Sequence, residues 1–159
     1  MDVPYNQSGM IANRSMPPGT IIVELVYDDV ETAVNWLCRT FGFKERLRIG
    51  NHRAQLLVGE ASIVVMARGK GQLSSAASNV ESEMTHSIMI QVADLDQHYQ
   101  HVNQLGASII SLPTDFPYGE RQYTVEDLAG HRWTFSQSIA DVDPREWGGI
   151  LLEEIASPN

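Results

Sequence analysis

The sequence predicts an α/β (α+β) protein made of two β-α-β-β-β modules, and three observations carry that prediction. Short β-branched runs alternate with two amphipathic helical patterns, and they do so in the same order in both halves of the chain. The halves superpose in register: Asp29-Val30-Glu31 matches Asp94-Leu95-Asp96 at an offset of 65, and Phe41-Gly42 matches Leu105-Gly106 at an offset of 64. Each helical pattern stops at a glycine, Gly42 and Gly106. A unit that occurs twice predicts a duplicated half-barrel, because a solenoid needs about three units or more.

Residues 1–19 show no periodicity and end in Pro17-Pro18-Gly19, which predicts a mobile arm ahead of the fold. The first module, about residues 20–68, opens with the strand pattern "TIIVELVY". Asp28 or Asp29 then caps a helix whose apolar residues Val30, Ala33, Val34, Leu37 and Phe41 recur at helical spacing. "FKERLRI", "AQLLVG" and "ASIVVMA" follow as strands, separated by Gly50-Asn51 and Gly59-Glu60. Residues 69–83, small and polar, form a linker. The second module, about 84–138, repeats the order: strand "HSIMIQV", helix from Asp94 to Leu105, then strands "SIISL", "RQYTVED" and "HRWTFSQ". Residues 139–159 form a C-terminal extension, with Asp143 as a cap and Pro144 at the first position of a helical turn. Its apolar residues Ile150, Leu151, Leu152 and Ile155 predict packing on the chain's own sheet or on a second subunit.

A chain of 159 residues with 43% hydrophobic and 19% charged residues fits one domain with a sizeable core. Its net charge of -9 repels a phosphate backbone, so neither nucleic acid nor an anionic membrane is the expected partner. The single cysteine, Cys38, excludes an internal disulfide and lies in a helical pattern as a small core or boundary residue. With no membrane-length apolar run and no basic-then-apolar leader, the expected location is the cytoplasm.

Strand alternation points to where a ligand would sit. In the first strands of the two modules, Ile21, Val23, Leu25 and Tyr27 align with His86, Ile88, Ile90 and Val92, a mostly apolar face suited to lie under a helix. The opposite face carries Ile22, Glu24 and Val26 in one module and Ser87, Met89 and Gln91 in the other. Glu24 and Gln91 are polar within these strands, so this face lines a wet concavity rather than a dry core. In the last strand, Arg132, Thr134 and Ser136 alternate with His131, Trp133 and Phe135 and would share that concavity, while Tyr118 and Arg121 lie at its rim. Arginine suits a carboxylate or phosphate and aromatics suit a flat ring. Glu24 could act as a base or bind ligand, or pair with Arg121 or Arg132.

Other signals read as structural. His98 and His101 have helical spacing but predict one half-buried and one surface imidazole. "ARGKGQ" lacks the spacing of a phosphate loop, and neither a Gly-x-Ser-x-Gly elbow nor a Cys-x-x-Cys pair occurs. Asp127-Leu128-Ala129-Gly130 is a turn, and His131 shares the face of Trp133.

The stretches "VYDDVETAVNWLCRTFGF", "VADLDQHYQHVNQLGA" and "YGERQYTVEDLAGHRWTFSQ" resemble the vicinal oxygen chelate superfamily, which includes glyoxalase I, bleomycin-resistance proteins and extradiol dioxygenases. The likeness covers about residues 20–138. It implies a cupped, partly open mixed β-sheet barrel with helices outside and a ligand or metal in the cup. In metal-using relatives the ligands come from the first and last strand of each module, positions that fall here at Ile22, about Val64, Ser87 and Thr134. None is a histidine or carboxylate, so the resemblance implies small-molecule binding without the usual metal and with no cofactor. Ligand contacts would come from Glu24, Gln91, Tyr118, Arg121, Arg132 and Thr134, in a chain that pairs as a homodimer. The rival is a lyase, isomerase or dioxygenase holding a divalent ion through His86, Glu24 and others, with Glu24 as the candidate catalytic residue.

Overall fold

The computed structural model describes residues 5–69 and 84–152. The predicted linker therefore lies outside the described residues apart from Gly69, as does Ile155 of the C-terminal extension.

The first module runs β1 (Ile22–Tyr27), α1 (Val30–Phe41), β2 (Lys44–Ile49), β3 (Arg53–Val58) and β4 (Ala61–Ala67). The second runs β5 (Ile88–Gln91), α2 (Leu95–Gln104), β6 (Ser108–Phe116), β7 (Glu120–Glu126) and β8 (Arg132–Ser138). Each module folds into a four-stranded mixed sheet, ordered β1-β4-β3-β2 and β5-β8-β7-β6. In both, the first strand runs parallel to the last, and the others pair antiparallel. The helix supplies the crossover that parallel neighbours require. These two unclosed, cupped sheets with two helices are the α+β architecture expected from the repeat.

Caps set the helix positions. Asp29, not Asp28, caps α1 by accepting from the Thr32 N–H at 2.9 Å and the Thr32 hydroxyl at 2.5 Å. Those bonds and one from Asn51 hold the Asp29 carboxyl down at about 2. Asp94 caps α2 in the same way, accepting from the Gln97 N–H.

One core serves both modules. Leu25, Tyr27, Val34 and Leu37 of the first pack in one cluster with Leu95, Val102, Tyr123, Trp133 and Phe135 of the second. Phe41 at the end of α1 meets Trp133 and Phe135 edge-on, at ring separations of 5.4 and 5.1 Å. The seam is also polar, and the second module supplies its histidines. His98, His101 and His131 place Nε2 within 3.0, 2.9 and 2.9 Å of the carbonyl oxygens of Phe41, Arg39 and Val26. Asp127, buried in the predicted turn, accepts from the Tyr27 hydroxyl at 2.6 Å, the Trp133 indole at 3.0 Å and the N–H groups of Ala129 and His131. Burial and the neighbouring Asp127 push the Tyr27 phenol far above its ordinary value, so it stays protonated and donating. His98, His101 and His131 are thus structural, as their faces predicted.

The N-terminal arm departs from expectation, and the C-terminal extension meets it in part. The N-terminal arm does not stand clear of the domain: residues 14–18 lie across the first sheet, and Pro17 is buried. In the C-terminal extension, Asp143 caps a 3-10 turn, Pro144–Trp147, but Ile150, Leu151 and Leu152 do not pack on the chain's own sheet and stay exposed. β5 is also shorter than its sequence pattern, leaving His86 and Ser87 ahead of the ladder.

Candidate functional site

Residues paired across a ladder share a face, so the strand registers define what each sheet presents away from its helix. On the second sheet, three rows cross the strands: Gln91, Ser136, Gln122 and Thr114; Met89, Thr134, Thr124 and Ser111; Arg132, Glu126 and Ser108. The intervening residues, among them Ile88, Ile90, Tyr123, Val125, Trp133 and Phe135, point into the core. The outward face is therefore rich in hydroxyl and amide groups around one methionine, with an arginine and a carboxylate at one end.

Its polar groups are oriented by one another. The Thr124 and Thr134 hydroxyls lie 3.0 Å apart, and the Arg132 Nε donates to Glu126 Oε1 at 3.3 Å. Glu120 Oε1 accepts from the buried Ser136 hydroxyl at 2.6 Å and from the Gln122 amide at 3.1 Å. A cavity of about 390 Å³ opens where Met84, His86 and Ser87 border Thr124, Arg132 and Thr134. Arg132 is half-exposed there, with donors left for a guest.

The predicted site residues divide between this face and other places. Arg132 and Thr134 lie on it, and Gln91 stands in the row of Ser136, at the strand end where it also borders a cleft of about 180 Å³ between the modules. Arg121 does not reach it. Arg121 faces the helix side with Tyr123 and Val125, and bonds Asp115 at 2.6 Å and Asp96 of α2 at 3.0 Å. Each of its three guanidinium nitrogens thereby donates to a carboxylate of its own module, and its hydrogen bonds hold the Asp115 carboxyl below the usual carboxylate range. Tyr118 stacks on Phe116 at 5.3 Å and meets Trp147 of the extension at 5.4 Å, in an aromatic cluster at the β6–β7 turn. Glu24 lies on the first sheet, pairing with Arg53 at 3.8 Å instead of Arg121 or Arg132, and no hydrogen bond joins it to Gln91. Glu120, Gln122, Thr124 and Glu126 were not singled out from the sequence. The alternation of "ERQYTVE" contains them, since buried Tyr123 and Val125 fix the opposite face.

The metal positions implied by the resemblance carry two aliphatic and two hydroxyl side chains, Ile22, Val64, Ser87 and Thr134, a donor set that does not fit a divalent ion. His86 is exposed beside the cavity while Glu24 is on the other sheet. Among the described residues no three His, Cys, Asp or Glu side chains converge as a metal site would require. A larger cavity, about 600 Å³, is lined only by the C-terminal extension, between Asp141 and Leu151, and contains none of the predicted site residues.

The outward first-sheet face has a different character, because the arm lies over its centre. Val64 is 1% exposed yet takes no part in the helix-side core, and Gln55 and Ser62 beside it are 5% and 2% exposed.

Comparisons with known proteins agree with this architecture. The crystal structure of TioX from Micromonospora sp. ML1 is 35% identical and superposes with a TM-score of 0.64, covering 76% of this chain and 98% of that one. That of lactoylglutathione lyase from Agrobacterium tumefaciens is 16% identical with a TM-score of 0.60, covering 84% and 100%, and shares the fold. An uncharacterised protein of Mycobacterium bovis is 24% identical over 129 residues, 77% of this chain and 85% of its own. The family model for the glyoxalase/bleomycin resistance protein/dioxygenase superfamily matches residues 21–135, the span of both modules. Paired β-α-β-β-β sheets, the repeated order and this match together show that the chain belongs to the glyoxalase/bleomycin resistance protein/dioxygenase superfamily.

Proposed function

We propose that this protein binds a small organic molecule, without a metal, on the outward face of its second sheet. The observation that carries the reading is the combination of Arg132, Thr134 and Thr124 around one open cavity on a face whose alternate residues are the core. A half-exposed guanidinium recognises a carboxylate, phosphate or other acceptor, and the two hydroxyls donate or accept. Met89, 58% exposed in the middle row, offers a polarisable surface for a flat or apolar part of the guest. Gln91, Gln122 and the Glu120 carboxylate extend polar recognition toward the other end. Family membership supports a binding role, while the chemistry of the ligand rests on these side chains and not on the fold.

The same reading takes the chain as a homodimer, since Leu112, Ile150 and Leu152 leave apolar side chains exposed. Light scattering after gel filtration tests that part directly.

The binding test is a thermal-shift screen of aromatic acids and amides, followed by calorimetric titration of the strongest hit. A compound that stabilises the wild type and loses at least about tenfold in affinity on Arg132→Ala supports the site. Equal affinity in the two proteins would contradict it. A parallel titration with Ni, Zn, Mn and Fe is expected to show no stoichiometric uptake, and uptake abolished by Glu24→Ala or His86→Ala would favour the metal-dependent lyase, isomerase or dioxygenase instead.

A further inference from the structure

We propose that the outward face of the first sheet is a groove for a proline-containing peptide backbone that enters through a turn, and that residues 14–18 of the chain are its resident occupant. Three neighbouring strands each supply one side-chain donor to one main-chain carbonyl. Arg46 Nη2 of β2 donates to the Arg14 carbonyl at 2.6 Å, Gln55 Nε2 of β3 to the Ser15 carbonyl at 2.9 Å, and Ser62 Oγ of β4 to the Pro18 carbonyl at 2.6 Å. The segment thus crosses the strands in spatial order, and the Gln55 amide is itself oriented by a bond from Arg46 Nη1.

The match is one of hydrogen-bond sense. The groove presents donors, and the segment turns the carbonyls of Arg14, Ser15 and Pro18 toward them. The N–H groups of Ser15 and Met16 are satisfied by Asn13, and Pro17 and Pro18 have none. A segment lacking the Asn13 turn and the two prolines would bring N–H groups that these donors cannot satisfy, so the face favours a turn followed by proline. Arg14, Ser15 and Met16 leave their side chains exposed, which makes the reading one of backbone and not of side-chain identity. Pro17 is the buried side chain, and Val64 is sealed without belonging to the helix-side core. Gly19 releases the segment into β1: at φ +116° its Cβ position would lie 3.4 Å from the Ala61 backbone. This groove is separate from the second-sheet site and does not rest on it.

The test uses the full chain and a fluorescent synthetic peptide with the sequence of residues 13–20, followed by anisotropy. A tethered occupant competes at an effective concentration of the order of millimolar, so the wild type binds the free peptide weakly. Pro17→Asp loosens the arm while leaving Arg46, Gln55 and Ser62 in place. It is expected to speed tryptic cleavage after Arg14 and to bind the peptide at least about tenfold more tightly than the wild type. Gln55→Ala with Ser62→Ala in that background is expected to remove the gain, whereas Arg132→Ala leaves it unchanged. Pro17→Gly with Pro18→Gly repeats the comparison without adding a charge, should the first variant fold poorly. Equal peptide affinity in wild type and loosened variants, a gain that survives loss of both donors, or an arm that stays protected in both would overturn the proposal.

Discussion

The two sheets have the same strand order, yet their outward faces differ. On the first, Gln55 and Ser62 are buried and bonded to the Ser15 and Pro18 carbonyls of the same chain, with buried Val64 paired opposite Gln55; on the second, the corresponding region is open, with Thr124, Thr134 and Arg132 around a cavity. The helix sides show no such divergence, since both contribute large apolar residues to one core. Duplication therefore preserves what packing demands and leaves the other face free to specialise: one holds a segment of its own chain, and the other has side chains to offer a guest.

The comparison requires that the halves form one unit, and the seam residue Asp127 tests this most severely. Asp127→Ala leaves the Tyr27 hydroxyl and Trp133 indole buried without an acceptor, and is expected to cost roughly 3–5 kcal/mol in urea denaturation. Two separate unfolding transitions in the wild type would show instead that the modules are independent. Gly119→Ala comes next. At φ +84° its Cβ position lies 2.4 Å from the Ala140 carbonyl oxygen, and the same turn accepts the Ile139 N–H at 2.8 Å, so a loss of roughly 2–3 kcal/mol is expected.

A pH effect sharpens the seam further. Burial lowers the pKa of His98 from 6.5, with its Nδ1 placed 2.6 Å from the Tyr123 hydroxyl. The unfolded chain then takes up a proton that the folded one resists, so stability falls as pH drops below 6.5 and is fully present above it. Thermal melts across pH 5–8 should show this slope, and His98→Gln should flatten it. Arg132→Ala is the smallest in stability, within about 0.5 kcal/mol, because its pair with Glu126 is partly exposed. Its expected effect is on ligand binding alone, and a large loss of stability would mean that Arg132 serves the fold.

Much of the fold was legible because burial imposes a period. Val30, Ala33, Val34 and Leu37 announced α1, and the repeat of order announced the second module. The two faces of β1 and β8 were legible for the same reason: Leu25, Tyr27, Trp133 and Phe135 had to go inward. Arg121 was misplaced because it was assigned to a rim by its nearness to a turn, when Tyr123 and Val125 two and four residues later tie it to the helix side. The covering of the first sheet left no such trace. Its contacts run to main-chain carbonyls, which every residue carries, so Arg14, Ser15 and Met16 show no pattern that side-chain chemistry could reveal. The short β5 was likewise hidden, since "HSIMIQV" alternates well beyond the four residues that pair.

The central claim is that a guest enters the second face while the first is held by the arm. Methyl-resolved NMR, titrating the strongest stabilising compound from the screen into the wild type, reads both faces at once. The account predicts shifts at Met89, Thr124 and Thr134 with Val64 and Met66 unmoved; shifts at Val64 and Met66 with the second face silent would contradict it.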